Sequence, residues 1–412
     1  MSHLLIVEPL LAGLHLIPAA KKAGHRVSVL SADTGERTLP PECAEQTDRH
    51  LKIDGYDEDA ALTAACALHA QDPLDAVLPG FEYFVPLAAR IADQLGLPGI
   101  GAEHALQLRH KHLMRAALEQ AGVPAPGSRL VTTTHRDVPQ QVAAALETTS
   151  LPCVVKPVDM AQSQFVRRAD TYEQALAAVE AIATAPEGHV NHRTQPLALI
   201  EEYIPGPEYS IEGCSAHGRT EIFSITKKLL GPEPFFVETG HLVNVPLPPE
   251  QRRSLTDYVS AGAAALGLTC GVFHAEVRIG PSGPRLMEIA ARLPGDQICT
   301  LIHLASGVDL PSVFIDCQLG AAPPAGHPPA ARFAGIRFLT RPGLTRFETV
   351  TGLEKARELP GFVTAQLLYP PGSDLPAAED FSSRLGWLIY QSQDFPTLEH
   401  TLDDADRAIA FH

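Results

Sequence analysis

A short acidic hairpin is the segment whose residue types point most directly to chemistry. It reads FHAEVRI at 273–279, PSGP at 281–284 and LMEIAAR at 286–292. Side chains alternate along a strand, so His274, Glu276 and Arg278 share one face, and pairing across the turn allows Glu276 and Glu288 to converge. Two adjacent carboxylates repel each other unless a cation lies between them. Mg²⁺, or Mn²⁺ in its place, suits such oxygen ligands and keeps contacts to phosphate. The hairpin therefore predicts a metal–phosphate site, and a solvated strand face with ordinary ion pairs is the alternative.

Two further segments favour a nucleotide. Lys156 ends the apolar run CVVK at 153–156, where a buried ammonium is costly without an anionic partner such as a phosphate. The segment LIEEYIPGPEYS at 199–210 reads as a strand, a bend and another strand, with acids near the bend. Such acids could accept hydrogen bonds from ribose hydroxyls, and the strand backbone could read an adenine edge.

The elements that must position these residues begin with an alternation of predicted strands and helices, the order of a βαβ unit. Strand-like segments at 3–7, 25–30 and 76–78 alternate with helix-like segments at 14–23 and 83–95. This order predicts a parallel sheet with helical crossovers. The GxGxxG fingerprint is absent, because the turn after the first strand reads EPLLAG, which disfavours a nicotinamide site.

Two proline-containing segments predict the domain boundaries. The helix predicted at 111–121 ends at Gly122 and leads into the stiff linker VPAPG, and a Pro-rich run lies at 327–329. We expect three α/β domains at 1–108, 109–326 and 327–412, the central one with lobes at about 124–195 and 196–326. The other predicted elements are a strand at 153–156, a helix at 171–183, a polar exposed loop at 186–195, and strands at 197–203, 208–215, 221–227, 271–279 and 285–290. A smaller α/β unit is expected to begin with residues 332–339.

Composition limits the class of function. The 412 residues are 45% apolar and 19% charged, which is typical of a globular protein, and the formal net charge of −16 opposes binding to nucleic acid or to an anionic membrane. The N-terminus MSHLLIVEP carries no cationic leader, and seven scattered cysteines form no CxxC pair. We expect a cytoplasmic protein with reduced thiols that acts on small molecules.

The order of these segments resembles the ATP-grasp superfamily, and within it the carboxylate–amine ligases of the L-amino-acid ligase type. The resemblance covers nearly the whole chain and rests on Lys111, VKP at 155–157, EEYIPGPE at 201–208, TKK at 226–228, HAE at 274–276 and EIAAR at 288–292. It implies an α/β fold with a Rossmann-like preATP-grasp domain, a two-lobed ATP-binding domain and a small C-terminal α/β unit. It also makes a homodimer plausible.

The resemblance also implies site residues. It assigns ATP contacts to Lys111, Lys156, Ser163, Glu201, Glu202, Tyr203, Ile204, Glu208 and Lys227, with Lys228 an equal alternative to Lys227. It assigns metal binding to Glu276 and Glu288, catalysis to Arg292 and Lys156, and substrate binding to His241, His274, Arg292 and Asp296. Asp296 could instead cap the following helix, and both histidines could be ordinary buried residues.

The implied reaction activates a carboxylate with ATP and joins it to an amine. The γ-phosphoryl group passes to the carboxylate, the amine attacks the acyl phosphate, and Arg292 stabilises the oxyanion as phosphate leaves. An amino acid is expected as at least one substrate, with ADP and phosphate as products. A bicarbonate-activating carboxylase and a catalytically silent ATP-binding protein are the alternatives.

Two departures from the superfamily pattern bear on this expectation. The lid expected at 159–168 has no glycine at all, and VDMAQSQF occupies 158–165, so its backbone has less freedom to wrap phosphates. Ala290 stands where the superfamily usually has a metal-binding Asn, and Ala cannot ligate. We therefore expect slower or more selective lid closure, and one or two metal ions held by the two glutamates and the phosphates.

Overall fold

The computed structural model describes residues 1–134, 136–185, 189–324, 332–376 and 380–412. The predicted boundary at 327–329 and residues 186–188 of the predicted polar loop lie outside these ranges. Three larger sheets and one two-stranded pair organise the described residues. Short 3₁₀ turns join some of the elements, at Leu11–His15, Gly35–Arg37, Glu82–Phe84, His189–Asn191 and Phe381–Ser383.

The N-terminal sheet is parallel, as the alternation of predicted strands and helices indicates. Its strands are β1 (His3–Val7), β2 (Arg26–Ser31), β3 (Arg49–Lys52) and β4 (Ala76–Pro79), in the order β3-β2-β1-β4. Its helices are α1 (Leu16–Lys22), α2 (Pro41–Ala44), α3 (Glu58–Gln71), α4 (Val85–Leu95) and α5 (Ala102–Ala105). The strand order reverses between β1 and β4, so their carboxyl ends flank a crevice of the kind that binds ligands in such sheets.

Two glycines bring the walls of this crevice together. A Cβ atom on Gly13 would lie 1.8 Å from the carbonyl oxygen of Gly80, and a Cβ atom on Gly80 would lie 2.4 Å from Cα of Pro9. Both positions therefore require glycine. The chain after β1 first makes the 3₁₀ turn Leu11–His15, so α1 begins at Leu16 rather than at the predicted residue 14.

The second sheet is antiparallel and has four strands. They are β5 (Ser128–Thr132), β6 (Cys153–Pro157), β7 (Arg167–Ala169) and β8 (Leu197–Glu202), in the order β5-β8-β6-β7. The nearby helices are α6 (Lys111–Gln120), α7 (Val138–Thr149) and α8 (Tyr172–Ala183). Apolar side chains of α7 and α8 form one core with Val155 and Ile200 of the sheet.

The third sheet has eight strands, and every neighbouring pair is antiparallel. Its strands are β9 (Glu208–Ala216), β10 (Arg219–Leu230), β11 (Glu238–Val243), β12 (Gly271–Gly280), β13 (Gly283–Ala290), β14 (Phe333–Leu339), β16 (Phe362–Leu367) and β17 (Gly386–Ser392). Their order is β13-β12-β9-β10-β11-β14-β17-β16. A separate pair joins β15 (Val350–Thr351) to β18 (Ala410–Phe411). The helices of this part are α9 (Pro249–Ala265), α10 (Ile298–Ser306), α11 (Leu310–Gln318), α12 (Leu353–Glu358) and α13 (Phe395–Ala408).

The C-terminal strands continue the sheet of the central domain. β11 pairs with β14, with Gly240 opposite Arg337 and Val243 opposite Ala334. The C-terminal α/β unit expected from the sequence therefore shares hydrogen bonds with its neighbour, although the predicted domain limits themselves stay a prediction.

Within the described ranges, no single helix is long and apolar enough to cross a membrane. The consecutive helices α10 and α11 reach that length and composition only together, and they are bent by 101° at their break. Their apolar side chains, including Leu301 and Phe314, pack in the protein core.

Candidate active site

One large cleft lies between the N-terminal crevice, the second sheet and one face of the eight-stranded sheet. Its empty space is about 1650 Å³, counted to its open mouth. Its walls include residues 10–13 and 79–82 of the crevice, 160–163 after β6, charged residues of β9 to β13, and Phe381 and Arg384 from the C-terminal part. All three sheets thus contribute to one cavity.

The predicted acidic pair lies in this cleft. Glu276 on β12 is directly opposite Glu288 on β13, so both side chains project from the same face at a Cβ separation of roughly 5 Å. Each carboxylate accepts a hydrogen bond from a lysine, Glu276 from Lys228 Nζ at 2.6 Å and Glu288 from Lys111 Nζ at 2.9 Å. The predicted convergence agrees with the strand register, while metal binding by the pair stays a prediction.

The carboxylates of Glu276 and Glu288 suit a divalent cation that is also coordinated by phosphate oxygens. No group of three or more His, Cys, Asp or Glu side chains in the described ranges could hold a metal on its own. Ala290 lies opposite His274 and adds no ligand. Two carboxylates with room for phosphate and water oxygens suit Mg²⁺, which is commonly bound through one or two carboxylates and its substrate's phosphates.

Lys156 has a carboxylate partner within the protein. Its Nζ lies 2.6 Å from Glu201 Oε2, and Arg115 Nε donates to Glu201 Oε1 at 2.6 Å. Burial lowers the pKa of Lys156, while the charge of Glu201 opposes this shift. Burial alone would raise the pKa of Glu201, but the charges of Arg115 and Lys156 lower it. Glu201 does border the cleft, yet its carboxylate serves two cations rather than an open adenine slot.

Two adjacent lysines of β10, Lys227 and Lys228, lie on opposite faces of the strand. Lys228 is buried in the cleft wall, where its ammonium lies 2.6 Å from Glu208 Oε1 and 2.6 Å from Glu276 Oε1. Lys227 points to the other face of β10 and donates to Glu399 of α13 at 3.0 Å. Lys228 is therefore the lysine of this pair that faces the cleft, and which of the two contacts ATP stays a prediction.

The other residues assigned to ATP occupy mixed positions. Glu202 and Ile204 line the cleft. Glu208 also lines it, but its carboxylate is held by Lys228 and by Arg278 Nε at 2.8 Å. Tyr203 donates its phenol to Glu233 at 2.6 Å instead of facing the cleft.

The His274 ring lies between two glutamates. Its Nδ1 lies 2.9 Å from Glu212 Oε1 and its Nε2 lies 3.5 Å from Glu276 Oε1. Burial alone would lower the pKa of His274, but the hydrogen bonds and charges of the two glutamates raise it to about 9. A pKa raised in this direction favours the imidazolium form of the ring at neutral pH.

Asp296 belongs to a polar network rather than to a helix cap. The N-cap position of α10 is Gln297, which makes no capping hydrogen bond from its side chain in the described structure. The Asp296 carboxylate accepts from Arg384 Nη1 at 2.7 Å and contacts His241 Nε2 at 2.9 Å. Arg384 also donates to Glu238 at 2.9 Å, which places a C-terminal residue at the cleft wall. Sequence reasoning missed Arg384, since 88 residues separate it from Asp296.

Arg292 lines the cleft beside the acidic pair. Its Nη2 donates to Glu82 Oε2 at 2.7 Å, and its Nε donates to the same oxygen at 3.1 Å. Glu82 begins the 3₁₀ turn after β4 and was not singled out from the sequence. Its only sequence signal was its place at the carboxyl end of a parallel strand.

The glycine-free segment after β6 covers part of the cleft. Gln162, Ser163 and Phe165 have φ angles of 62°, 56° and 58°, which lie in the left-handed region that favours glycine. The segment is tied down at its start, where Lys111 donates to the carbonyl of Met160 at 2.8 Å. Ser163 Oγ lies 3.5 Å from Glu238 Oε1. Non-glycine residues therefore adopt the left-handed backbone conformation in this segment, and that conformation is strained for them.

Comparisons with known proteins agree with this architecture. Residues 17–99 match the ATP-grasp N-terminal domain, residues 149–300 match the ATP-grasp domain, and residues 337–412 match the L-amino acid ligase C-terminal domain 2. The crystal structure of L-amino acid ligase from Bacillus licheniformis has a TM-score of 0.83 at 24% identity and covers 100% of this chain and 98% of that one.

Two curated relatives have named activities. Dapdiamide A synthase of Enterobacter agglomerans is 28% identical over 409 residues, which cover 94% of this chain and 91% of the relative. Alanine–anticapsin ligase of Bacillus subtilis is 28% identical over 264 residues, or 59% of this chain. That match spans about half, 53%, of the alanine–anticapsin ligase.

The antiparallel second sheet and the large sheet enclose a cleft with paired acids and lysines, and the matched models identify this part of the chain as an ATP-grasp domain. The match of residues 337–412 to the L-amino acid ligase C-terminal domain 2 distinguishes this chain from other proteins with ATP-grasp domains. The chain therefore combines ATP-grasp domains with an L-amino acid ligase C-terminal domain, and over most of its length it is similar to dapdiamide A synthase and to the structure of an L-amino acid ligase.

Proposed function

We propose that this protein is an ADP-forming ligase that joins a small carboxylic acid to an amine through an acyl phosphate, with Mg²⁺ as its metal. The observation that carries the proposal is the direct opposition of Glu276 and Glu288 in a cleft that also holds Lys156, Lys228 and Arg292. Acidic pairs and clustered cations in one cavity suit a metal-bound triphosphate.

In the first half-reaction these residues can balance the negative charge of the triphosphate. An oxygen of the substrate carboxylate attacks the γ-phosphorus of ATP, and the bond from that phosphorus to the β–γ bridging oxygen breaks to release ADP. Mg²⁺ bound by Glu276 and Glu288 would neutralise charge on the phosphates. Lys111, Lys156 and Lys228 supply further positive charge around the same cavity, as phosphoryl transfer requires.

The second half-reaction forms the amide. The amine nitrogen attacks the acyl carbon, the bond from that carbon to the phosphate oxygen breaks, and the proton that the amine loses passes to the departing phosphate or to water. Arg292 borders the acidic pair and can donate hydrogen bonds to the oxyanion and to the departing phosphate. Asp296, held by Arg384 and His241, offers an anionic contact for the ammonium group of the incoming substrate.

An amino acid is proposed as at least one substrate. Alanine–anticapsin ligase is named for an amino acid, and the structural neighbour is named for L-amino acids, which supports this choice. The domain limits, a homodimer and a cytoplasmic location remain predictions.

A phosphate-release assay over a matrix of amino acids tests the proposal. The reaction contains ATP and MgCl₂, and mass spectrometry searches for a product whose mass equals both substrates less one water. We expect phosphate release that requires both partners, with one ADP per product. Bicarbonate-stimulated turnover that no amino acid enhances would indicate a carboxylase, and ATP binding without turnover would indicate a silent binding protein.

Two variants check the assigned roles in the same assay. Glu288→Ala removes a metal ligand, so turnover should be abolished. Arg292→Met should keep ATP binding, measured by calorimetry, and lose product formation. Ligation at the wild-type rate in either variant would contradict the site assignment.

A further inference from the structure

Glu82 is a buried carboxylate at the point where the N-terminal domain meets the cleft. It follows β4, lines the cleft and is 1% exposed. Its Oε2 accepts two hydrogen bonds from Arg292, at 2.7 and 3.1 Å. A single carboxylate oxygen that receives both Nε and Nη2 fixes the plane of the guanidinium group.

The other oxygen of Glu82 faces a second arginine. Oε1 lies 3.7 Å from Arg109 Nη1, which is longer than a hydrogen bond, and neither atom has a hydrogen-bond partner within the described residues. Both side chains are buried. This incomplete contact leaves room for a small displacement of either residue.

Arg109 links this pair to the lid. Its Nη2 donates to the main-chain carbonyl of Asp159, the first residue of the expected lid, and its guanidinium lies 4.5 Å from the ring centre of Tyr83. The Asp159 carboxylate accepts in turn from Thr194 Oγ1 at 2.6 Å. The contacts therefore run from the base of the lid through Arg109 and Glu82 to Arg292.

Glu82 remains ionised and is not a proton acceptor. Burial alone would raise its pKa, but the charges of Arg292, Arg109 and Lys111 bring the pKa down to about 2. A direct contact with a substrate ammonium is also disfavoured, because Oε2 is occupied by Arg292 and Oε1 is buried against Arg109.

We propose that Glu82 is a positioning residue that orients Arg292 toward the reacting carboxylate and, through Arg109, couples that orientation to the lid. This inference rests on the proposed function only for the role of Arg292. It explains why a residue of the N-terminal domain is buried against a residue of the eight-stranded sheet's hairpin.

Glu82→Gln is the main test, since glutamine keeps the volume and one acceptor but removes the charge. We expect kcat for ligation to fall about 10- to 100-fold, the cost expected when a reacting group is misplaced. The Kd for ATP should change less than about twofold, because Lys156 and Lys228 are untouched. More than one phosphate should be released per product, since an acyl phosphate under a loosened lid hydrolyses.

Conservative and matched variants separate positioning from folding. Glu82→Asp keeps the charge and should restore part of the phosphate-to-product coupling. Glu8→Gln is the control, because Glu8 is also a buried glutamate of the N-terminal domain paired with an arginine, Arg37 at 3.0 Å, and does not line the cleft. It should lower the melting temperature while leaving kcat and coupling near wild type.

A second measurement does not depend on ligation. ATP and Mg²⁺ should protect residues 159–168 from hydrogen exchange in the wild type, and Glu82→Gln should lose most of that protection. Wild-type coupling or undiminished protection in Glu82→Gln would overturn the inference. Absence of product from the wild type would instead contradict the proposed function, and the exchange experiment would still decide the role of Glu82 at the lid.

Discussion

Lys227 and Lys228 are adjacent in sequence but lie on opposite faces of β10, which makes them a matched pair for mutation. Lys228→Met should lower kcat/KM by about 100-fold, because Glu208 and Glu276 would be left without their shared cation. Lys227→Met should change kcat/KM less than twofold, since its half-exposed pair with Glu399 resembles surface pairs that contribute only about 0–1 kcal/mol. Steady-state kinetics of both variants check this prediction, and an equal loss in both would contradict it.

Some site residues follow from the sequence and others do not. Glu276 and Glu288 could be predicted because strand alternation and a short turn are local properties. The choice between Lys227 and Lys228 could not, because the register between β9 and β10 shifts between Ile222 and Ser224 and breaks simple alternation. Glu82 lies 210 residues from Arg292, and no local pattern reports such a contact.

At the scale of elements, the cleft is built on one face of the eight-stranded sheet. Glu276 is opposite both Glu288 and Ser210, and Lys228 is opposite His241. Directly opposed residues share a face, so five neighbouring strands, β13 to β11 in sheet order, present polar groups to the cleft. The intervening residues, such as Ile211, Ala275 and Ile289, pack in the apolar core on the other side.

The strained backbone of the lid predicts opposite effects for two similar substitutions. Gln162 has a φ of 62°, so Gln162→Gly should raise the free energy of unfolding by about 0.5–1 kcal/mol as the steric strain of a side chain in that region is removed. Gln164 does not have a positive φ, so Gln164→Gly should lower it by a similar amount through the greater freedom of the unfolded chain. Urea unfolding measures both values. Destabilisation of equal size in both variants would contradict the strain argument.

The strands were easier to predict than some helices. The predicted strands at 153–156, 197–203 and 271–279 correspond closely to β6, β8 and β12. The helix α9 was missed because it buries only a narrow stripe that includes Leu255 and Val259, and its remaining surface is polar. So narrow an apolar stripe gives little helical periodicity in the sequence, and its meaning becomes clear only when the sheet that it packs against is known.

At the scale of the whole molecule, a neutral histidine at the junction before α6 predicts acid sensitivity. Burial and the nearby charge of Arg109 lower the pKa of His110 to about 4, with further lowering by His112 and Lys111 and opposition from Asp159. The unfolded chain therefore binds more protons between pH 6.5 and 4, so stability is lost as the pH falls through this range.

His110→Gln measures this contribution. Between pH 7 and 4.5 the wild type should lose about 1–2 kcal/mol more of its unfolding free energy than the variant, a value reduced for partial solvent screening. His303→Gln, at an exposed position on α10, is the control and should follow the wild type. Identical pH profiles of the wild type and His110→Gln would contradict the assignment.

The order of the three α/β parts could be predicted from the sequence, but their connection could not. Alternating segments and the Pro-rich linkers indicate successive units. Strand partners across long separations, such as Val243 and Ala334, depend on edge hydrogen bonds that no sequence period encodes.

The pairing of β11 with β14 limits how this enzyme can be recombined with its relatives. A chimera that joins a foreign C-terminal part after residue 324 would have to match the hydrogen-bonding edge of β11 and also replace Arg384, which reaches Asp296 and Glu238 across that seam. Exchange of specificity among such ligases is therefore better attempted by transplanting β11 together with the segment that follows it.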